Sequence, residues 1–225
     1  AMGAPQELRD EKLAPSPRTE FAVKTHRREY YALVSHLDTQ IGLILDRLEK
    51  SSAADRTVIC FTADHGLGCG EHGLMGKQNM YDHSVRVPFI LAGPGIPKGK
   101  TIDAPIYLQD VMPTFIQLAG AGVPDDIDFQ SVLPLLDGTG KPREQIFGAY
   151  MDVQRMLVRD GRKLILYPAA GVTRVFDLKK DPDETNDLFA TPAGKTIARE
   201  LFPLLVAELK QHGDPLDLRA AYPDL

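Results

Sequence analysis

The residues best suited to chemistry fall in one glycine-rich segment, residues 62–77, which ends at Lys77. Its glycines allow the backbone to approach a ligand closely or to take a positive φ. Carboxylates, imidazoles and an ammonium group together suit a divalent metal ion and an anionic substrate. Three acid–histidine pairs begin in this segment or just after it: Asp64-His65, Glu71-His72 and Asp82-His83.

Other site types have weaker support. Glycine-rich polar loops are also common surface connections, so a solvated loop is the alternative for residues 62–77. The chain contains no phosphate-binding glycine loop and no nucleophile elbow. The acidic run from Asp177 to Asp187 does not fit a calcium-binding EF-hand, because the required Gly and Glu positions are missing. We interpret Asp181-Pro182-Asp183-Glu184 within that run as a turn.

The elements that must position the loop are a helix before it and a strand leading into it. Apolar residues at steps of three and four predict an amphipathic helix over residues 25–51 with one buried stripe. Residues 57–62 are apolar and β-branched, which is typical of a strand buried on both faces, as in a parallel sheet. The stripe consists of Tyr30, Val34, Leu37, Ile41, Leu45 and Leu48.

The chain after this strand alternates between irregular and regular patterns. Residues 64–86 show no period and are predicted to be a loop, and residues 87–92 predict another buried strand. Residues 110–118 predict a helix with Pro113 in its first turn and Gly120 just after its end. A helix followed closely by a buried strand favours an α/β layer architecture.

The pattern changes after residue 141. Four short alternating segments, residues 146–151, 155–159, 163–167 and 173–177, predict an antiparallel sheet. Asp160-Gly161 between two of them indicates a tight hairpin. A helix is predicted near residues 194–212, with Pro203 inside it. This half therefore predicts a small α+β subdomain.

Composition narrows the function classes. The 225 residues include 43% hydrophobic and 25% charged side chains, which are ordinary globular proportions. The formal charge of −5 argues against a nucleic-acid partner, and no apolar run is long enough for a membrane span. Two cysteines exclude a disulfide framework. Cys60 is predicted to be a small core residue, whereas Cys69 is expected to be partly exposed.

Several motifs, in order, resemble the sulfatase family of the alkaline-phosphatase-like superfamily. The helix around residues 31–42 and the segment 110–120 resemble the helices on either side of the family's site motif. The run from Phe176 to Asn186 resembles the tail signature of its C-terminal subdomain. The motif itself is matched by Asp64-His65-Gly66, Gly70-Glu71-His72-Gly73-Leu74, Gly76-Lys77, Tyr81 and residues 84–88.

The resemblance implies a fold and a mechanism. The fold expected is the C-terminal part of a mixed α/β sheet sandwiched by helices, plus a small antiparallel α+β subdomain. Asp64 and His65 correspond to two ligands of a divalent metal, with calcium the first expectation and manganese or zinc the alternatives. Lys77 corresponds to the residue that contacts the sulfate. Glu71, His72 and His83 are candidates for the pocket wall, with an ordinary structural role as the alternative for each.

The nucleophile of the family is absent. Sulfatases use a formylglycine made from Cys or Ser in a C-x-[PA]-x-R motif, and neither Cys60 nor Cys69 lies in one. The N-terminal Asp-Asp pair of metal ligands is absent too. We therefore expect the C-terminal half of a sulfatase, inactive alone, with the formylglycine in a missing N-terminal half.

We predict that the chain is divided into three parts. Residues 1–23 are expected to be an artificial leader and linker, 24–140 part of the catalytic α/β domain, and 141–225 the C-terminal subdomain. The expected partners are a sulfate-ester small molecule or glycan, the missing N-terminal half, and a second copy in a homo-oligomer. The alternatives are a phosphonate or phosphate ester hydrolase of the same superfamily and a non-catalytic metal-binding or interaction fragment.

Overall fold

The computed structural model describes residues 10–225, so the first part of the predicted leader lies outside the described residues. These residues form two compact units, which are described separately. The N-terminal unit comprises residues up to Gln78 together with His83–Lys100. The C-terminal unit comprises Asn79–Asp82 and Thr101–Leu225. Residues 101–140 thus group with the C-terminal unit, and the domain boundary expected after residue 140 stays a prediction.

The described part of the N-terminal unit begins with a 3-10 turn, Asp10–Leu13, which is followed by the long helix α1, Glu20–Glu49. The helix starts earlier than predicted because the Thr19 hydroxyl accepts a hydrogen bond from the Ala22 N–H at 3.2 Å. A threonine in this position satisfies one of the free amides of the first turn. Part of the predicted linker is therefore helical.

The apolar stripe of α1 is not buried, which corrects the prediction. No residue of the helix is buried, and Leu37 is 53% exposed. Leu33 and Ile44, which widen the stripe, are each 67% exposed. The 3.6-residue period forms an apolar face, but burial also needs a partner. The described residues do not bury this face.

The strands of this unit also differ from expectation. Strand β1, Ile59–Thr62, pairs antiparallel with β4, Phe89–Ala92, in a two-stranded sheet. Within residues 10–225 the strand is therefore not part of a parallel sheet, and it is not buried on both faces. Phe61 is 40% exposed and Ile90 is 57% exposed, while Cys60 is half-buried rather than a core residue. Two strands alone do not shield both of their faces.

The predicted loop 64–86 contains short regular pieces. Strands β2, Gly68–Cys69, and β3, Met75–Gly76, pair antiparallel, and a 3-10 turn, Glu71–Gly73, joins them. A one-turn helix, α2, covers Asp82–Val85. Elements this short carry no detectable period, which is why the sequence pattern predicts only a loop.

The C-terminal unit closely follows the sequence pattern. Helix α3, Val111–Leu118, has Pro113 in its first turn, and Gly120 follows its cap with φ +73°. A short helix, α4, spans Leu133–Asp137. Four antiparallel strands follow in the order β5-β6-β7-β8: Gln145–Tyr150, Gln154–Arg159, Arg162–Tyr167 and Val172–Asp177.

One long helix packs on this sheet and forms the core. Helix α5, Pro192–Gln211, contains Pro203, and its buried face includes Phe202 and Leu205. These side chains pack with Leu157, Leu164 and other residues of the sheet, which are fully buried. Helix α6, Leu218–Ala221, closes the unit. No helix in residues 10–225 is long and apolar enough to cross a membrane.

Candidate functional site

The candidate loop follows directly from the end of β1, and a tight turn shapes its middle. Gly70 has φ +107°, a conformation that L side chains rarely adopt, and its N–H donates to the Leu74 carbonyl at 2.9 Å. A Cβ at this position would lie 2.6 Å from Val23 of α1. Glycine is therefore required here both by conformation and by the close approach of the helix.

Asp64 and His65 are adjacent in space as well as in sequence. The Asp64 Oδ1 accepts the His65 backbone N–H at 3.0 Å, and its Oδ2 lies 3.4 Å from His65 Nε2. The other ring nitrogen, Nδ1, lies 2.9 Å from the Gly66 carbonyl oxygen. A carbonyl oxygen can only accept, so this contact favours the tautomer with the proton on Nδ1. The Nε2 lone pair and the carboxylate then face each other, as metal ligands would.

The start of the loop runs against the segment that carries His83. The Gly66 N–H donates to the Ser84 carbonyl at 2.8 Å. A Cβ at Gly66 would lie 2.0 Å from the His83 carbonyl oxygen, and one at Gly68 would lie 2.8 Å from His83 Nε2. Gly66 is needed because two stretches of backbone meet here, whereas Gly68 lies against the His83 ring. The contact places His83 beside the residues that directly follow Asp64-His65.

Two of the predicted pocket-wall histidines form a stacked pair. The rings of His72 and His83 are 5.6 Å apart at an interplanar angle of 23°. His72 has φ +55°, which is uncommon for a residue other than glycine. A left-handed residue in the turn after Gly70 directs this part of the loop back toward His83. The structure thus brings together two histidines that are eleven positions apart in the sequence.

Glu71 is held by interactions within the N-terminal unit. Its Oε1 lies 2.6 Å from Arg27 of α1, and its Oε2 accepts the Cys69 N–H at 2.6 Å. Burial raises the pKa of Glu71, but its backbone hydrogen bonds and the charge of Arg27 outweigh this effect and lower the pKa overall. These contacts tie the loop to α1, which supports the structural alternative for Glu71.

Cys69 lies in β2 and is 7% exposed, so it is buried rather than partly exposed as expected. Burial raises the pKa of its thiol, and the neighbouring Glu71 carboxylate raises it further. A thiol with a raised pKa is a poor nucleophile. The buried Cys69 is therefore poorly suited to act as a nucleophile.

Lys77, the predicted sulfate contact, lies at the end of the loop and is 30% exposed in its side chain. Its Nζ lies 4.0 Å from Asp10 Oδ2. Asp10 is buried and packs closely against Gly76. A Cβ added at Gly76 would lie 2.4 Å from the Cβ of Asp10. The ammonium group therefore has a carboxylate nearby, the kind of anionic neighbour that a sulfate would provide.

The donors suit part of a metal shell. Among residues 10–225 there is no group of three or more His, Cys, Asp and Glu side chains that could hold a metal ion. Asp64 and His65 fit two positions by donor type and by the facing atoms described above, and Asp64 is 85% exposed. Calcium takes six to eight oxygen ligands, so other donors would have to complete the shell.

Sequence reasoning found the loop and its acid–histidine pairs but missed Asp10 and Arg27. Both lie outside the loop, one in a 3-10 turn and one on α1, and no spacing rule connects them to it. Their roles depend on tertiary contacts of Glu71 and Lys77. The third acid–histidine pair is split, because Asp82 groups with the C-terminal unit and His83 with the N-terminal unit.

Comparisons with known proteins identify the family. A family model described as Sulfatase matches residues 5–121, just over half of the chain. A second model, described as N-sulphoglucosamine sulphohydrolase, C-terminal, matches residues 70–211. Together the two matches cover both the candidate loop and the antiparallel sheet.

Curated relatives are longer than this chain. The choline-sulfatase of Rhizobium meliloti (strain 1021) is 34% identical over 182 residues, which cover 78% of this chain and 35% of the relative. The N-acetylglucosamine-6-O-sulfatase of Bacteroides thetaiotaomicron is 34% identical over 203 residues, which cover 84% of this chain and 36% of the relative. The chain thus spans about a third of the length of these relatives.

Solved structures give the same result for the fold. A protein solved in complex with its substrate D-glucosamine-2-N,6-O-disulfate superimposes with a TM-score of 0.77 at 29% identity, over 89% of this chain and 44% of that one. The phosphonate monoester hydrolase of Agrobacterium radiobacter gives a TM-score of 0.71 at 27% identity, over 83% of this chain and 41% of that one. The predicted alkaline-phosphatase-like fold is thereby confirmed.

Because the family model described as Sulfatase matches more than half of its residues, the chain belongs to the sulfatase family.

Proposed function

We propose that this chain is the C-terminal portion of a metal-dependent sulfate-ester hydrolase of the formylglycine type, and that it lacks the nucleophile. The observation that supports this most directly is the pair of facing donors, Asp64 Oδ2 and His65 Nε2, 3.4 Å apart on the loop that ends at Lys77. The pair supplies ligands, and the lysine supplies a cation for the substrate.

The roles of the residues follow from their chemistry. Asp64 and His65 would hold two positions of a divalent cation, calcium first and manganese or zinc next, which when bound stabilises negative charge on the sulfate oxygens. Lys77 contacts a sulfate oxygen and stabilises its developing charge. Because Asp10 lies 4.0 Å from Lys77, the substrate must compete with this carboxylate for the ammonium group.

The substrate class proposed is a sulfate ester of a small molecule or a glycan. The relatives include a choline-sulfatase and an N-acetylglucosamine-6-O-sulfatase, and a structural neighbour binds a sulfated glucosamine. These names support the class without selecting one ester. The nucleophile and the remaining metal ligands would come from upstream polypeptide of the same protein.

A phosphonate or phosphate ester hydrolase is the second candidate. The structural likeness to a phosphonate monoester hydrolase favours it. His65 bears on the metal rather than on the ester, because an imidazole ligand shifts the metal preference from calcium toward manganese or zinc. A non-catalytic metal-binding fragment is the remaining alternative, and it predicts no turnover under any condition.

The test compares the purified chain alone with the chain co-expressed with the upstream part of its gene. Each preparation is assayed with an activated aryl sulfate and an activated aryl phosphate, with added calcium or manganese. We expect no turnover from the chain alone and turnover from the completed protein. The ester that turns over faster decides between the two hydrolase candidates.

The controls separate a site effect from a general charge effect. Asp64→Ala and Lys77→Ala should abolish or strongly reduce turnover, whereas Lys98→Ala removes an exposed lysine of the same unit and should not. Multiple turnovers by the chain alone that vanish in both site variants would mean that the site is complete here. That result would overturn the proposed need for an upstream half.

A further inference from the structure

A buried ion cluster in the C-terminal unit has no role in the chemistry described so far. Lys163 of β7 is fully buried, and its Nζ lies 2.7 Å from Asp82 Oδ1 and 2.6 Å from Glu184 Oε1. The other oxygen of Glu184 accepts the Asp82 backbone N–H at 2.6 Å. One carboxylate thus binds both the lysine and the backbone at the first residue of α2.

The turn that carries Glu184 is built to hold it. Glu184 has φ +55°, a left-handed conformation uncommon for glutamate, and it is 2% exposed. Asp181 braces the turn by accepting the backbone N–H groups of Thr185 at 3.1 Å and Asn186 at 2.8 Å. A backbone conformation of this kind persists only when surrounding contacts impose it.

The cluster holds one short segment of chain in the C-terminal unit. Asn79, Met80 and Tyr81 are all buried, and the Tyr81 ring packs edge-on against Phe176 at 5.9 Å. This segment, Asn79–Asp82, is surrounded in sequence by residues of the N-terminal unit. Lys77 lies two positions before it and His83 directly follows it.

We propose that Lys163, together with Glu184, is a positioning residue that holds Asn79–Asp82 in the C-terminal unit and thereby restrains the backbone between Lys77 and His83. Lys163 touches neither substrate nor metal in this proposal. It acts through the segment that it binds, so its relevance to turnover rests on the proposed function of Lys77. The restraint that Lys163 places on residues 79–82 is independent of the proposed function of Lys77.

The opposing interpretation is that the cluster contributes only to the general stability of the sheet. Arg155 provides a matched control for that case. It lies on the neighbouring strand β6, its side chain is 4% exposed, and it pairs with Asp214 at 2.6 and 3.0 Å. Removing either cation breaks a buried ion pair made by a strand of the same sheet, but the partner of Lys163 is Asp82 of the segment, whereas the partner of Arg155 is Asp214.

The first experiment measures backbone hydrogen exchange of the whole chain by mass spectrometry. In Lys163→Met we expect exchange in residues 79–85 to accelerate by about tenfold or more, because local opening no longer breaks the Lys163 contacts. In Arg155→Met the same residues should stay within about twofold of the wild type, with acceleration around Asp214 instead. Equal acceleration everywhere in both variants, or no change in residues 79–85 of Lys163→Met, would overturn the proposal.

A second variant covers the case in which Lys163→Met does not fold. Glu184→Gln keeps the size of the side chain and one acceptor oxygen, but it removes the charge that faces Lys163. We expect the same local acceleration in residues 79–85, smaller in size. A Glu184→Gln variant with wild-type exchange there would equally overturn the proposal.

The second experiment uses the protein completed by its upstream half. If Lys163 acts through Lys77, Lys163→Met lowers turnover by about tenfold in the wild-type background and has little further effect on the turnover of Lys77→Ala. If the two residues act independently, the fold-losses in turnover of the two single variants multiply in the double variant. Multiplying effects would show that Lys163 does not act through Lys77. A wild-type protein without any turnover would refute the proposed function and leave the exchange experiment to decide the restraint.

Discussion

The uncovered apolar stripe of α1 makes a quantitative prediction about association. Leu37 and Ile44 lie two turns apart on this stripe and are 53% and 67% exposed. The double substitution Leu37→Asp and Ile44→Asp places two charges on the face without removing a buried contact. We expect the wild-type chain to self-associate when purified alone, or to copurify with its upstream half, and the variant to do neither.

The magnitude follows from these exposed fractions. Burying a whole Leu or Ile side chain contributes about 1.5–3 kcal/mol, so covering the exposed half to two-thirds contributes roughly 1–2 kcal/mol per residue. The two positions together give about 3 kcal/mol, and each 1.4 kcal/mol changes an equilibrium constant about tenfold. The double variant should therefore weaken association by at least roughly a hundredfold. Its effect on folding should stay near the helix-propensity difference, about 1 kcal/mol in total.

Light scattering coupled to size exclusion, over a wide range of concentration, measures the effect directly. Thr39→Asp is the matched control, because it adds a charge to the exposed opposite face of α1. That control should associate like the wild type. A wild-type chain that remains a monomer at every concentration, or a double variant that associates as strongly as Thr39→Asp, would refute the interpretation of the stripe as a contact surface.

Four further results are expected. In the completed protein, Lys77→Ala should lower turnover by roughly a hundredfold or more, since charge stabilisation of this kind contributes about 2–4 kcal/mol, with little change in melting temperature; normal turnover with a large loss of melting temperature would make Lys77 structural. Calorimetry should show micromolar or weaker binding of calcium or manganese to the isolated chain, lost in Asp64→Ala; tight binding would mean that other residues complete the shell. The folded-state pKa of Glu71 is lowered, so its stabilising effect is present above the unfolded pKa and lost as pH falls through the folded value. Glu71→Gln should therefore destabilise the chain at pH 7 and have a smaller effect in acid, and denaturation at both pH values checks this. Arg143→Met leaves the fully buried Asp110 carboxylate without the guanidinium that binds it at 2.5 and 2.8 Å, so urea denaturation should show a loss of about 3–5 kcal/mol.

Local pattern alone was enough for the antiparallel sheet and for helix α3 of the C-terminal unit. Alternation over four short segments predicted β5 to β8 to within a residue or two, and Asp160-Gly161 forms the predicted hairpin with φ +53° and +76°. Helix α3 and its terminal Gly120 also match. These features depend on residues a few positions apart, whose preferences act before any distant contact forms. The candidate loop was found in the same way, from residue types that are adjacent in sequence.

Tertiary structure alone decided what each element contacts. The 3.6-residue spacing of apolar side chains in α1 determined an apolar face. Whether that face is exposed depends on which segments are available to cover it, and the described residues leave it uncovered. The same holds for β1, whose apolar sequence indicated burial that a two-stranded sheet does not provide. Lys163 meets Asp82 across 81 positions and Glu184 meets Asp82 across 102 positions. No local preference encodes such a contact. It exists only once the folded unit has brought together β7, the turn that carries Glu184 and the segment Asn79–Asp82.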